Sequence, residues 1–306
     1  MKSQRNKTID IGFEDGKVYF DKLVDASKTD DFNIENKIIL GDSLKVMDRL
    51  PRNFVDLLIV DPPYNLSKNY NGYKFNQISD EEYEKYTINW INKAIPLLKE
   101  NASVYVCCDW NSGIIIGKIL SEHLILRNRI TWEREKGRGA MKNWKNSSED
   151  IYFATKSDKY TFNLNSVKIR RRVLAPYREK GRPKDWRETS DGKFRDSCPS
   201  NFWGDITVPF WSMSENTAHP TQKSEKLMAK LILASSNEGD IVFDPFAGSG
   251  SSLVVAKKLG RKFLGVERNS LYGIWAQKRL ENASDNKKIQ GFEKGVFFER
   301  NTNIKR

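Results

Sequence analysis

Apolar residues along the chain fall into two patterns. Short continuous runs at Lys37–Leu40, Val55–Val60, 102–108, 129–132, 150–154, 241–243 and 262–266 predict strands buried on both faces, as in a parallel sheet. Helical spacing separates them. Residues 43–50 place Leu44, Met47 and Leu50 on one face, and 114–122, 224–235 and 252–259 predict further helices, the last stopped by Gly260. Ser79 followed by Asp80, Glu81 and Glu82 reads as an N-cap with an acidic first turn. From there Tyr83, Tyr86, Trp90, Ala94 and Leu97 step by 3, 4, 4 and 3, and Pro96 demands a kink or an end. Strand and helix in alternation predict an α/β fold, a doubly wound and mostly parallel sheet.

The alternation is interrupted. Residues 1–30 are polar with weak periodicity and read as an extension, packed on the body or loose from it. A first half, 31–162, is followed by 163–218, which carries Pro176, Pro183, Pro199 and Pro209 and three tryptophans, Trp186, Trp203 and Trp211, with little regular structure expected. The rhythm returns over 219–282, and a charged tail, 283–306, is expected to be peripheral.

Charge sharpens the interruption. The 306 residues carry a formal net charge of +12, and between Asn163 and Arg187 nine basic residues face two acidic ones, a net +7 in one segment. Arg170, Arg171, Arg172, Arg178, Lys180, Arg182, Lys184 and Arg187 suit phosphate contacts, and arginine also reads guanine in the major groove. At 38% hydrophobic and 11% aromatic, the chain has enough apolar material for one large domain with an insertion, unlike a disordered basic tail. No apolar run approaches the roughly 18 residues of a membrane span, and the first residues lack a secretory pattern. Three cysteines without CxxC spacing and two histidines, His123 and His219, predict a reduced cytoplasmic chain with no metal site.

Two motifs carry chemistry. Asp244-Pro245-Phe246-Ala247-Gly248-Ser249-Gly250 follows a strand and opens a helix, and Glu267 ends the next strand. That order matches a dinucleotide-type loop whose acidic residue accepts ribose hydroxyls, although a plain tight turn would also use the glycines. The third glycine of GxGxxG is absent and an aspartate heads the loop. A carboxylate repels a pyrophosphate but pairs with a cationic, amino-bearing ligand, so S-adenosylmethionine suits it better than a dinucleotide. Asp61-Pro62-Pro63-Tyr64 also ends a strand. A nucleobase amine is a poor nucleophile because its lone pair is delocalised. A carboxylate and a backbone carbonyl can accept its two N–H bonds and turn the lone pair toward a methyl donor, while Tyr64 offers a face for stacking an extruded base. A proline-rich turn closing a strand is the plainer reading of the same four residues.

With His219-Pro220-Thr221-Gln222-Lys223 between them, these motifs resemble, over about residues 36–282, the permuted (β-class) amino-methyltransferases of DNA. Most of that family serve restriction-modification systems and methylate adenine N6 or cytosine N4; Asp-Pro-Pro-Tyr goes more often with adenine. Ser224 stands where the family usually has proline. The resemblance implies a Rossmann-like methyltransferase fold with 163–218 as the target-recognition insertion. It implies catalysis by Asp61, Pro62, Pro63 and Tyr64, with Asp61 and the Pro63 carbonyl orienting the amine. It assigns S-adenosylmethionine to Asp244, Phe246, Gly248, Gly250 and Glu267, with the intervening Pro245, Ala247 and Ser249 and with Asp61 and Arg268, placing Asp42 near the adenine and Lys223 near the carboxylate. The plainer reading of Lys223 is a solvated cap lysine. His219 reads as a turn residue, and Trp132 fits either the base pocket or the core. The loop 65–77 is expected to close over the extruded base and to become ordered with DNA. Duplex DNA is the expected partner, with a cognate restriction endonuclease and a homodimer as further ones, in a bacterial cytoplasm. Cytosine N4 methylation, and a non-catalytic DNA-binding subunit of the same fold, are the alternatives.

Overall fold

A computed structural model describes residues 5–29, 34–70, 73–134, 141–174, 176–190 and 192–299. Nine strands form the main sheet: β1 (Val24–Asp25), β2 (Lys37–Leu40), β3 (Val55–Val60), β6 (Leu98–Cys108), β7 (Ile125–Glu133), β8 (Ser148–Thr155), β14 (Phe202–Trp203), β15 (Ile241–Asp244) and β16 (Lys262–Glu267). Their order is β1-β2-β16-β15-β3-β6-β8-β7-β14. Pairing is parallel from β1 through β6, antiparallel on both sides of β8, and parallel again between β7 and β14. β15 and β16, late in sequence, slot between β2 and β3, so the two halves of the chain share one sheet.

Successive strand residues feed opposite layers, which is why the apolar runs are continuous. Ile38, Leu57, Ile59 and Cys107 face one core, lined by α5 (Glu225–Ser235), α6 (Ser251–Lys258) and α7 (Ser270–Asp285). Ile39, Leu58, Val60 and Cys108 face the other, lined by α2 (Ser43–Met47), α3 (Asp80–Ala94) and α4 (Trp110–His123). Ser79 and Glu82 form a reciprocal capping box on α3. Trp132 is a core residue, its indole N–H donating to the Ile206 carbonyl at 3.1 Å.

Two expectations are revised, and the open reading of the N-terminal extension is resolved. The described N-terminal residues are packed, not loose: they include α1 (Lys17–Phe20), and Ile9, Ile11, Tyr19 and Phe20 lie on Tyr272, Ile274 and Trp275 of α7. Residues 163–218 are more regular than their prolines suggested. β9 (Ile169–Arg172), β12 (Arg187–Thr189) and β13 (Gly192–Ser197) join a five-stranded sheet, and β10 (Arg178–Glu179) and β11 (Arg182–Pro183) form a hairpin turning at Lys180-Gly181, both at positive φ. Trp186 and Trp203 are buried, whereas Trp211 is exposed. The tail is not peripheral. Its β17 (Phe292–Glu293) and β18 (Val296–Phe298) complete that five-stranded sheet, β18 running parallel to β9, and Phe297 is fully buried. One apolar residue, Phe292, and a run of three, Val296–Phe298, among lysines and glutamates are too short to register as periodicity.

Helix α5 ties these parts together. Lys226 and Lys230, both buried, reach Asp205 at 2.7 and 2.6 Å, and Lys226 also donates to the Phe298 carbonyl. Among the described residues no helix is long and apolar enough to cross a membrane.

Replacing Phe297 with alanine should cost about 3–5 kcal/mol, because the ring leaves a cavity between β18 and α5. Urea denaturation gives the value; a loss below about 1 kcal/mol would return the tail to a surface role.

Candidate active site

Open α/β sheets bind ligands where the carboxyl ends of their parallel strands diverge. Here β3, β15 and β16 end side by side, because Val242 and Phe243 pair with Leu57 and Leu58, and Asp244 pairs with Gly265. The register places the loop after β15 next to the tetrapeptide after β3. Together with Asp42 at the start of α2 they line a cavity of about 490 Å³.

The glycine loop is held from inside. Gly248 and Gly250 have φ of 53° and 73°, and a Cβ on Gly250 would stand 2.8 Å from that of Ala276. The Ala247 N–H donates to the Val266 carbonyl, and the Gly248 N–H to Glu267 Oε2 at 2.8 Å. Glu267 Oε1 accepts the Asn269 N–H at 2.6 Å. Asp244 is buried, accepting from the Phe246 N–H at 3.0 Å and from the Ser252 hydroxyl. Burial pushes both carboxyls, Asp244 and Glu267, up to about 7; the donors around each oppose the shift without cancelling it. Asp42 caps α2 through the Leu44 and Lys45 N–H groups, and exposed Arg268 lies 3.8 Å from it. Phe246, Ala247 and Ser249 also line the cavity; Pro245 and Gly250 shape the loop without lining it.

The tetrapeptide sits in a tight polar cluster. Asp61 Oδ1 accepts from the Tyr64 hydroxyl at 2.9 Å, and Oδ2 from the Lys223 ammonium at 2.6 Å. Lys223 is 6% exposed, so it is no solvated cap lysine. Burial alone would lower its pKa, but Asp61 and Glu149 more than reverse that and hold it raised, a permanent cation. Burial, then Asp61 and Glu149, push the Tyr64 phenol well above its ordinary range, so it stays a neutral donor. Tyr64 is anchored by its hydroxyl and lines the cavity. One expectation for the motif changes. The Pro63 carbonyl, expected to orient the amine, accepts instead from the Tyr83 hydroxyl at 3.0 Å. The Pro62 carbonyl has no hydrogen-bond partner among the described residues, and Pro62 lines the cavity.

Residues that sequence reasoning missed complete the cluster. Glu149 Oε2 lies 3.3 Å from both the Lys223 Nζ and the Tyr64 Oη, and Oε1 accepts from Arg134. Glu149 escapes the sequence because an acidic residue marks the ligand edge at the end of a parallel strand, whereas β8 is antiparallel. Its antiparallel direction puts its first residues, not its last, at the ligand edge. The signal was present: a carboxylate leading an apolar strand, beside Asp150. His219 is a turn residue as expected, its Nδ1 accepting from the Thr221 N–H at 3.3 Å. From Asn65 to Gln77 the chain forms an antiparallel pair, β4 (Lys68–Tyr70) and β5 (Tyr73–Phe75), whose tip at 71 and 72 lies outside the described residues. Leu66 and Phe75 on this hairpin line the cavity, and Asn65 pins its base by two hydrogen bonds to Ile78.

The basic residues divide. Arg170, expected at phosphate, is bound in bidentate fashion by Asp196 at 2.7 and 2.8 Å and so serves the sheet; Arg187 shares that aspartate. Arg171 pairs with Glu299 at 3.3 Å and Lys184 with Glu179 at 3.6 Å, while Arg178 lies over the Trp186 ring. Arg172, Lys180 and Arg182 are exposed and have no ion-pair partner among the described residues.

Residues 55–277 match the profile of a family described as DNA methylase, the N6/N4 methyltransferases. Type II methyltransferase M.HpaI of Haemophilus parainfluenzae is 33% identical over 252 residues, spanning 81% of this chain and 75% of its own. DNA adenine methyltransferase YhdJ of Escherichia coli K12 is 35% identical over 263 residues, 82% and 85% of the two chains. Among solved structures, the M1.HpyAVI–SAM complex aligns with a TM-score of 0.52 at 26% identity, covering 79% of this chain and 98% of that one. The cytosine-N4-specific PvuII methyltransferase shares the fold, with a TM-score of 0.57 at 15% identity over 82% and 92%. A profile match that spans the β3 tetrapeptide, the β15 loop and everything between them leaves one assignment: the chain belongs to the DNA methylase family of N6/N4 methyltransferases.

Proposed function

We propose that the chain transfers a methyl group from S-adenosylmethionine to the N6 amine of an adenine turned out of duplex DNA. The observation that carries this reading is the placement of Asp61 and Asp244 on one cavity, the second of them buried and with only neutral donors among the described residues. The relative YhdJ, named as an adenine methyltransferase, and the Asp-Pro-Pro-Tyr motif both support adenine over cytosine. The structural relative solved with its cofactor supports the donor.

The residues present fit that donor. Asp244, with only neutral protein donors on it, suits an ammonium or sulfonium, and Glu267 keeps lone pairs for ribose hydroxyls. Asp42, Phe246, Gly248 and Arg268 surround the same space, and Lys223 stands at its junction with the tetrapeptide. When bound, the sulfonium supplies an electrophilic methyl group. The chain supplies orientation: Asp61 and the Pro62 carbonyl accept the two N–H bonds of the amine, which turns the nitrogen lone pair toward that methyl. Asp61 then takes the proton that the methylated nitrogen sheds. Tyr64, once released from Asp61, stacks on the base. The hairpin bearing Leu66 and Phe75 covers the extruded base. Residues 163–218 are the recognition segment, and the exposed Arg172, Lys180 and Arg182 are its phosphate contacts. Trp144, Lys142 and Lys145, exposed on the strand connection that continues into cavity-lining Asn146 and Ser148, extend the same surface. The cellular setting in this reading is the bacterial cytoplasm. A cognate restriction endonuclease, supported by relatives named type II methyltransferases, and a homodimer complete it.

Unmodified plasmid incubated with the protein should acquire N6-methyladenine at one sequence, mapped by single-molecule sequencing. Asp61→Ala should lower the rate at least about 10²-fold. Methylcytosine in the map would overturn the base assignment, and full activity in the variant would overturn the mechanism.

Cofactor binding should tighten from pH 6 to pH 8. Asp244 and Glu267, held up to about 7 by burial, are partly protonated in the ligand-free protein at neutral pH, and the ligand favours their charged forms. Their raised values stabilise the free protein at low pH, and that contribution is lost as pH rises through about 7, so the ligand-induced thermal shift should grow over the same window. Calorimetry in buffers of different ionisation enthalpy should register proton release near pH 6.5.

Removing Lys180 and Arg182 together should reduce the log–log salt slope of DNA affinity by about 0.9 for each phosphate that is no longer neutralised. Arg170→Ala should lower the melting temperature, because its loss leaves Asp196 without its bidentate partner.

A further inference from the structure

Asp61 already carries a donor on each of its oxygens, and an amine must share them. Tyr64 holds Oδ1 at 2.9 Å and Lys223 holds Oδ2 at 2.6 Å. Neither donor can simply be let go. Lys223 is 6% exposed, and a buried ammonium stripped of its partner costs several kcal/mol. An incoming amine therefore competes with two donors, which also touch each other, the Lys223 ammonium donating to the Tyr64 hydroxyl at 3.2 Å. One acceptor stands within reach of both. Glu149 Oε2 lies 3.3 Å from Lys223 Nζ and 3.3 Å from Tyr64 Oη, and closing either gap to about 2.8 Å makes a charge-assisted hydrogen bond. Arg134, on the other oxygen, holds the Glu149 carboxylate in place, and the formal charges of the four side chains Asp61, Glu149, Lys223 and Arg134 sum to zero. Glu149 is itself 8% exposed, which makes it a deliberate burial rather than a surface carboxylate.

We propose that Glu149 is a positioning residue for methyl transfer, receiving Lys223 and Tyr64 as the target amine takes their places on Asp61. The proposal rests on the reading above that Asp61 orients the amine. The exchange keeps every buried charge paired throughout, and it frees the tyrosine ring to meet the base at the moment the carboxylate becomes available. No bond is broken by Glu149 and no proton leaves it; it changes partners only.

The test is Glu149→Gln, which keeps the size and one acceptor oxygen but loses the charge that draws the ammonium over. Affinity for S-adenosylmethionine and for DNA should stay within a factor of about three, while the single-turnover methylation rate at saturating cofactor falls by the order of 10²-fold. The discriminating measurement is a second substitution. Lys223→Met added to E149Q should recover at least about tenfold of the lost rate, because the lysine that traps Asp61 is gone. A merely structural Glu149 predicts the opposite, a further loss equal to what Lys223→Met costs alone, and that result would overturn the proposal. So would E149Q methylating within about threefold of the wild type. Should E149Q not fold, Glu149→Asp keeps the charge but withdraws it, and an intermediate loss of rate with an unchanged melting temperature is expected; a wild-type rate there counts against the proposal. An unmodified protein that methylates no DNA would instead remove the reading on which this inference stands, and the inference with it.

Discussion

Everything at the ligand edge depends on one strand pairing, that of β15 with β3. The two strands come from opposite ends of the chain, and parallel pairing gives no local turn to join them. Their shared register sets Asp61 and Asp244 at adjacent strand ends, each followed by a turn that cannot be ladder backbone. A slip of one residue would send the inward faces of β15 outward and carry the glycine loop away from the tetrapeptide. The continuous apolar runs of both strands protect the register, since Leu57 and Val242 fill one core while Leu58 and Phe243 fill the other.

Burial then decides the electrostatics. The cavity is walled by carboxylates that water does not reach freely, and the chain treats them in two ways. Among the described residues Asp244 and Glu267 have only neutral donors, backbone N–H groups and a hydroxyl, and no cation. Asp61 and Glu149 are given full partners, Lys223 and Arg134, and form a neutral quartet. The first arrangement waits for a ligand's charge; the second is complete in itself and must be rearranged. The division falls along the boundary between the two motifs.

Much of this was readable from residues alone, for identifiable reasons. Strands β2, β3, β15 and β16 announced themselves because parallel strands buried on both faces leave unbroken apolar runs, and the motifs followed because they sit at those strands' ends. Ser79 marked its helix by local hydrogen bonding, which sequence displays directly. The misses were all non-local. The antiparallel direction of β8 has no signature in its own residues, and with it went Glu149. The commitment of the Pro63 carbonyl to Tyr83 depends on where α3 packs. Arg170 looks like any other basic residue until Asp196, on a neighbouring strand, claims it. The strands β17 and β18 are two or three residues long, below the length at which alternation becomes a pattern.

The position of β18 bears on how the molecule is made. It lies parallel to β9, yet it is the last described strand of the chain, synthesised more than a hundred residues after its partner. Pairing over such a separation is slow and waits on the synthesis of β18 itself. By the time β18 emerges from the ribosome, β3, β15 and β16 are already available to pair, so the pocket can assemble on an unfinished chain. The small basic sheet cannot. Its closure therefore comes after the pocket strands are made, and a chain halted before β18 would carry the pocket without the surface that flanks it.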